Sequence, residues 1–246
     1  MLKSVLLALP LGLTAMAAAA SDLTQRDAAC VHVATVQYLD CEVAVLYSCP
    51  AAKGYASPLV REEAYGENGF DHYEVDTANG GLVVTGDAAG SFVIRSDPKT
   101  LVETTLAEVI KTGRGNFEAK GSFTYLGVKK PAGQNISVKA TGETMTLGGI
   151  SMTTFMADVA IDLPKPMGPT TSISKAYLVP SLGLYLSGEE MSGTFFKSDT
   201  VPHRPIAIAV PGQPGFDTIK PGTCGGSLSL LETPLIGLNA LEGVPS

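Results

Sequence analysis

Three histidines, four cysteines and a scatter of carboxylates are the residues of this 246-residue chain with the chemistry to do more than pack. A nucleophilic hydrolase needs a hydroxyl or thiol, a base beside it, and a group that orients the base. His72 stands between Asp71 and Tyr73, and because neighbouring strand residues point to opposite faces, Asp71 is not placed to orient its ring. His203, in Pro202-His203-Arg204-Pro205, lies in an extended arm, and His32 falls beside Cys30. A hydrolase would therefore require His72 or His203 to meet a Ser or Thr and a carboxylate in one cleft, and no spacing brings such a set together. The chain has no G-x-S-x-G, H-E-x-x-H or P-loop, and Gly113-Arg114-Gly115 puts Glu118 where a dinucleotide fingerprint needs its third glycine. Asp158 and Asp162 share a strand face about 13 Å apart, beyond the ~5 to 9.5 Å that paired carboxylates use on a glycosidic bond. The expectation is a protein without catalytic residues or cofactor.

The cysteines point to redox chemistry of a structural kind. Cys30, Cys41, Cys49 and Cys224 make an even count without C-x-x-C spacing, which favours two disulfides over a metal site. If the residues from Glu42 to Ser48 form one strand, Cys41 and Cys49 are about 26 Å apart and unable to pair. Four cysteines allow three pairings, and of the two that remain the expected one is Cys30 with Cys41 across a local turn, and Cys49 with Cys224. Their compartment is read from the start of the chain: Lys3, an apolar run from Val5 to Leu13 and Ala18-Ala19-Ala20 have the form of a signal peptide over residues 1–20. Cleavage before Ser21 would release a disulfide-bonded, periplasmic or secreted chain with no integral membrane segment. A net charge of −7 without any basic run argues against nucleic acid as a partner.

Binding is the chemistry that remains. Met145, Met152, Met156, Met167 and Met191 gather in the second half with Phe155, Phe195 and Phe196, and flexible thioethers adapt to irregular apolar ligands. Met145, Met152, Phe155, Met156 and Leu184 are the candidate ligand-binding residues on a concave face. Arg61-Glu62-Glu63 and Gly188-Glu189-Glu190 read as solvated strand edges.

Those side chains must be positioned by strands. Short alternating segments separated by Gly, Pro, Asn and Asp predict an all-β fold, a mainly antiparallel curved sheet arranged as a half-barrel or sandwich. The hairpin from Phe70 to Thr85 turns at Asn79-Gly80. In Ile150 to Leu163 the apolar phase switches parity, which predicts a bulge near Thr153 to Phe155. One covering helix opens at Thr100-Leu101-Val102-Glu103, a capping-box pattern, with Leu101, Val102, Leu106, Val109 and Ile110 on its apolar stripe, Thr105 on the same face, and Gly113 as its stop. Residues 21–231 read as a single β-rich domain with a C-terminal tail over 232–246.

Between Gly121 and Glu190, the sequence Gly142-Glu143, Leu147-Gly148-Gly149-Ile150, Ala176-Tyr177-Leu178-Val179-Pro180 and Leu182-Gly183-Leu184-Tyr185-Leu186-Ser187 resembles periplasmic β half-barrel proteins of uncharacterised function. These in turn resemble lipoprotein carriers of the Lol type, in which a curved sheet faces an apolar cavity. The resemblance implies a soluble carrier-like binding protein for a lipid or other apolar or amphipathic envelope molecule. An envelope scaffolding protein with a protein partner, and an unrecognised hydrolase, are the alternative functions.

Overall fold

Alternation in the segment Arg114–Tyr125 sets the architecture: Arg114, Asn116, Glu118 and Lys120 are exposed while Gly115, Phe117 and Ala119 are buried. A strand with one charged face meets water on that side and must cover the other. The computed structural model describes residues 23–165, 168–193 and 203–219. The segment expected to be a signal peptide, Met167, Phe195, Phe196, Cys224 and the expected tail lie outside the described residues.

The strands are β1 (Val31–Tyr38), β2 (Val43–Cys49), β3 (Leu59–Gly66), β4 (Gly69–Thr77), β5 (Leu82–Asp87), β6 (Phe92–Ser96) and β7 (Val102–Glu103). After the helix α1 (Leu106–Thr112) come β8 (Arg114–Tyr125), β9 (Val128–Leu147), β10 (Ile150–Asp162), β11 (Thr170–Val179), β12 (Leu184–Gly193) and β13 (Pro205–Ala209). They join one antiparallel sheet in the order β12-β11-β10-β9-β8-β6-β5-β4-β3-β2-β1-β13, with β7 added beside β8. This all-β meander is nearly closed into a barrel. Its two ends overlap: Met152, Tyr177, Val179, Leu184 and Leu186 pack on Ala34, Val36, Tyr38, Leu46 and Ile208. Leu178, between Tyr177 and Val179, packs on the opposite face with Val109, Phe117, Val138 and Phe155. The end of β11 is thus covered on both faces, which is why three consecutive side chains are buried there.

The hairpin and the bulge form as the sequence predicts. Gly80 takes φ +93° in the β4–β5 turn, and the β9–β10 register slips between Thr153 and Phe155. The helix is shorter than expected. Thr105, not Thr100, is its N-cap, accepting from the Glu108 N–H at 3.3 Å, and Gly113 ends it at φ +68°. β-Branched Val102 prefers an extended backbone, so Val102 and Glu103 pair with β8 as β7. The Thr100 hydroxyl binds the carbonyl oxygens of Asp97 and Lys120 instead. The helix still covers the sheet, with Val109 buried against Phe117 and Val138.

The disulfide pairing is a correction. Cys30 is bonded to Cys49, not to Cys41, with their Cα atoms 4.1 Å apart. Antiparallel pairing of Val31 with Ser48 carries the flanking cysteines together, a consequence of register that spacing along the chain does not reveal. Cys41 is also disulfide-bonded. Replacing Cys30 and Cys49 together by serine should cost about 3 kcal/mol, measured as a lower urea midpoint under non-reducing conditions.

Among the described residues no helix is long and apolar enough to cross a membrane.

Candidate functional site

On β4, Tyr73, Val75 and Thr77 are buried, and Glu74 and Asp76 point the other way. Alternation of this kind ordinarily sends the apolar face to the barrel interior. Here it is inverted. Tyr73 and Val75 pack with Leu59, Val84 and Cys49 beneath Leu23, Cys30, Ala52 and Tyr55, so the N-terminal segment and the β2–β3 connection cover the outside of the sheet. The acidic face is left to line the interior.

That interior holds a cavity of about 360 Å³. Apolar walls come from Leu82, Phe92, Ile94, Phe117, Ile136, Val138, Ala157, Val159 and Ile161, and the polar wall from Glu62, Glu74 and Asp76. Glu62 of β3 lies directly opposite Glu74 of β4 in the strand register, and Asp76 follows on the same face. Burial, added to by the charges of Glu74 and Glu42, pushes the Glu62 carboxyl up to about 8. Burial likewise raises Glu74, and raises Asp76 well above the usual carboxylate range. The three keep a little surface toward the cavity but have protein on every other side. A ligand that donates hydrogen bonds or carries positive charge would relieve this wall. Tyr185 closes the cavity near Gly80, where an added Cβ would stand 2.8 Å from the tyrosine ring. The Tyr185 hydroxyl is buried without a hydrogen-bond partner, and burial pushes it up to about 12.

A second group sits where β12 meets the overlapping end of the sheet, and it shares Ser187 with the cavity wall. Ser187 Oγ lies 3.1 Å from His203 Nε2, and His203 Nδ1 lies 2.8 Å from Asp40 Oδ2. The Tyr38 ring stacks on the imidazole at 3.9 Å and 11°, and its hydroxyl lies 3.4 Å from Ser187 Oγ. Three local features place them. Cys41 at φ +77° turns the chain between β1 and β2 and presents Asp40. Pro205, paired with Tyr38, starts β13 and sets His203 just before it. Ser187 precedes a bulge in which Gly188 and Glu189 face Lys175 alone. Burial would raise the Asp40 carboxyl, but the hydrogen bond and charge of His203 outweigh it and hold it below its usual range. Burial raises Glu42, whose carboxylate is 3.9 Å from His203 Nε2. Glu42 also lies with Asp71 and His72, each offering one ligand atom within 4.8 Å of the others, as a group able to hold a metal ion.

The sequence-derived residues fall elsewhere. Met152, Phe155 and Leu184 are buried in the two apolar cores, Met145 and Met156 are half-buried, and none of the five borders the cavity. Phe155 points inward on β10, and the cavity lies farther along that strand at Ala157, Val159 and Ile161. Arg61-Glu62-Glu63 is not a solvated edge: Arg61 and Glu63 are buried and paired at 2.8 Å, because β3 is an interior strand. His72 does contact Asp71, at 3.2 Å. The β3–β4 register slips between Ala64 and Tyr65, and this bulge turns adjacent side chains toward one another. His32 stacks on Phe216 at 3.9 Å. The signal for the acidic wall was present, in Glu74 and Asp76 at a two-residue spacing within an apolar strand; Asp40, Ser187 and His203 come from three separate segments and carry no local signal.

No family model, curated protein or solved structure matches this chain.

Proposed function

We propose that this chain is an exported binding or carrier protein for an apolar or amphipathic molecule of the cell envelope, held inside the barrel. The observation that supports it is the cavity of about 360 Å³, apolar on most sides and acidic on one. Small-molecule sites are concave and mainly apolar with a few placed polar groups, in the range of about 300 to 1,000 Å³. The apolar part of the ligand lies along Val159 and Ile161, and its polar end, an amine or another hydrogen-bond donor, meets Glu62, Glu74 and Asp76. The resemblance of residues 121–190 to periplasmic half-barrel proteins of uncharacterised function, which in turn resemble lipoprotein carriers, motivates the same reading, and the periplasm is the compartment that joins an envelope cargo to disulfide-bonded cysteines.

Native mass spectrometry of the protein, purified from its own compartment without detergent and then extracted with organic solvent, tests this. The expected result is a stoichiometric extra mass that extracts as an amphiphile, and that is reduced in Val159→Phe, whose larger side chain takes up part of the cavity. A bare mass for the wild-type protein, or an extra mass retained in full by Val159→Phe, would sink the proposal.

A further inference from the structure

The geometry points to Ser187, His203 and Asp40 as nucleophile, general base and orienting carboxylate of an esterase at the edge of the barrel. Nucleophilic catalysis by serine needs a base within hydrogen-bond reach of the hydroxyl and a third group fixing the base's tautomer. Both contacts are present, at 3.1 and 2.8 Å, on opposite nitrogens of one imidazole. With Asp40 accepting from Nδ1–H, Nε2 is left as the acceptor for the Ser187 hydroxyl. The Tyr38 ring, stacked at 3.9 Å, holds the imidazole in that plane. Ser187 is exposed, so a substrate reaches it, and it also borders the cavity.

The reaction follows from these positions. Ser187 Oγ forms a bond to the ester carbonyl carbon as its proton passes to His203 Nε2. The buried Tyr38 hydroxyl, 3.4 Å from Oγ, positions the serine oxygen for this attack. Burial and the nearby carboxylates raise the Tyr38 hydroxyl well above its ordinary value, so it stays protonated as a donor. The C–O bond to the alcohol breaks as Nε2–H protonates the departing oxygen. Water then attacks the acyl-serine, gives one proton to Nε2, and releases the carboxylic acid as that proton returns to Ser187. An ester and one water become an acid and an alcohol. The substrate class is a carboxylic ester with an apolar acyl chain, because the cavity beside Ser187 receives such a chain. That choice of acyl group rests on the binding reading above, whereas the reactivity of Ser187 does not.

The experiment treats the purified protein with a fluorophosphonate probe, maps the modified residue by mass spectrometry, and measures hydrolysis of p-nitrophenyl acetate and p-nitrophenyl octanoate. The expected result is modification of Ser187, lost in Ser187→Ala and in His203→Gln. Turnover should fall on the order of 10²- to 10⁴-fold in Asp40→Asn, and about tenfold or more in Tyr38→Phe with KM unchanged. Ser187→Ala removes only a hydroxyl from an exposed side chain. Ser187→Cys, modified by iodoacetamide faster than the same variant carrying His203→Gln, gives a second readout of the pairing. An unmodified Ser187, or turnover unchanged in Ser187→Ala, overturns the assignment and leaves the three residues as a latch between β12 and the segment before β13. Modification of Ser187 without preference for octanoate over acetate upholds the esterase and counts against the cavity as its acyl site.

Discussion

Glu62→Gln should raise the thermal midpoint at pH 8.5 by about 5–10 °C and leave it nearly unchanged at pH 5. The Glu62 carboxyl is pushed from its ordinary value up to about 8, first by burial and then by Glu74 and Glu42. In the unfolded chain it titrates near 4.5. Between those two values the folded protein keeps a proton that the unfolded chain has given up, so stability falls as pH rises through the window. Below it both states are protonated and above it both are ionised, and the dependence is flat at either end. Every tenfold difference in proton affinity between the two states corresponds to about 1.4 kcal/mol, and with relaxation of the site a total of a few kcal/mol is expected from this residue. Glutamine keeps the shape and cannot ionise, so it removes the loss. Glu74 and Asp76 face the same cavity and are raised in the same direction, so the single variant flattens the curve in part and the triple variant with Glu74→Gln and Asp76→Asn flattens it further. Thermal unfolding followed by circular dichroism at pH 5 and 8.5 decides this, and parallel curves for variant and wild type would show that Glu62 is not held in a proton-binding site. The same linkage gives a ligand its direction. A cationic head group on the acidic wall binds more tightly as pH rises toward 8 and releases protons as it docks.

The acidic wall also shows where sequence reading stops. Period-2 alternation on β4 separates Tyr73, Val75 and Thr77 from Glu74 and Asp76, and it does so correctly. It does not say which of the two faces is inside. That was decided by Leu23, Ala52 and Tyr55, which cover the apolar face from outside, and a loop's docking place is a tertiary fact. Local rules succeeded where the cause is local: Asn79-Gly80 as a turn, Gly113 as a helix stop, and the parity switch at Thr153 to Phe155 as a bulge. They misplaced the helix start, because Thr100 to Glu103 and Thr105 to Glu108 both satisfy the capping pattern and pairing of Val102 with Glu118 removes the first from competition. They missed the Cys30–Cys49 bridge because strand register determines it. Asp40, Ser187 and His203 were the least legible, since His203 meets its partners only where the ends of the sheet overlap.

Phe155→Ala separates the two roles that sequence and structure suggest for one residue. A Phe155 that contacts ligand from a concave face would lose affinity on truncation and cost the fold little. In the structure its ring is 2% exposed, edge-on to Tyr185 with centroids 6.4 Å apart, in the core shared by Val109, Phe117 and Leu178. β11 is held on its far face by the Tyr177 and Val179 contacts, which limits its collapse into the space Phe155 leaves. Truncation of a fully buried phenylalanine costs about 3–5 kcal/mol when the site cannot collapse. The expected result is an unfolding free energy lowered by that amount, read as a lower urea midpoint with the slope of the transition unchanged. Met156→Ala, on the opposite face of β10 and half-buried, should lose less than about 1.5 kcal/mol. The new space under Phe155 adjoins Phe117 and Tyr185, both of which line the cavity, so the variant that still folds should accept a longer apolar ligand than the wild type. A Phe155→Ala protein as stable as the wild type, with weakened ligand retention, would return Phe155 to the binding surface and place the cavity's floor elsewhere.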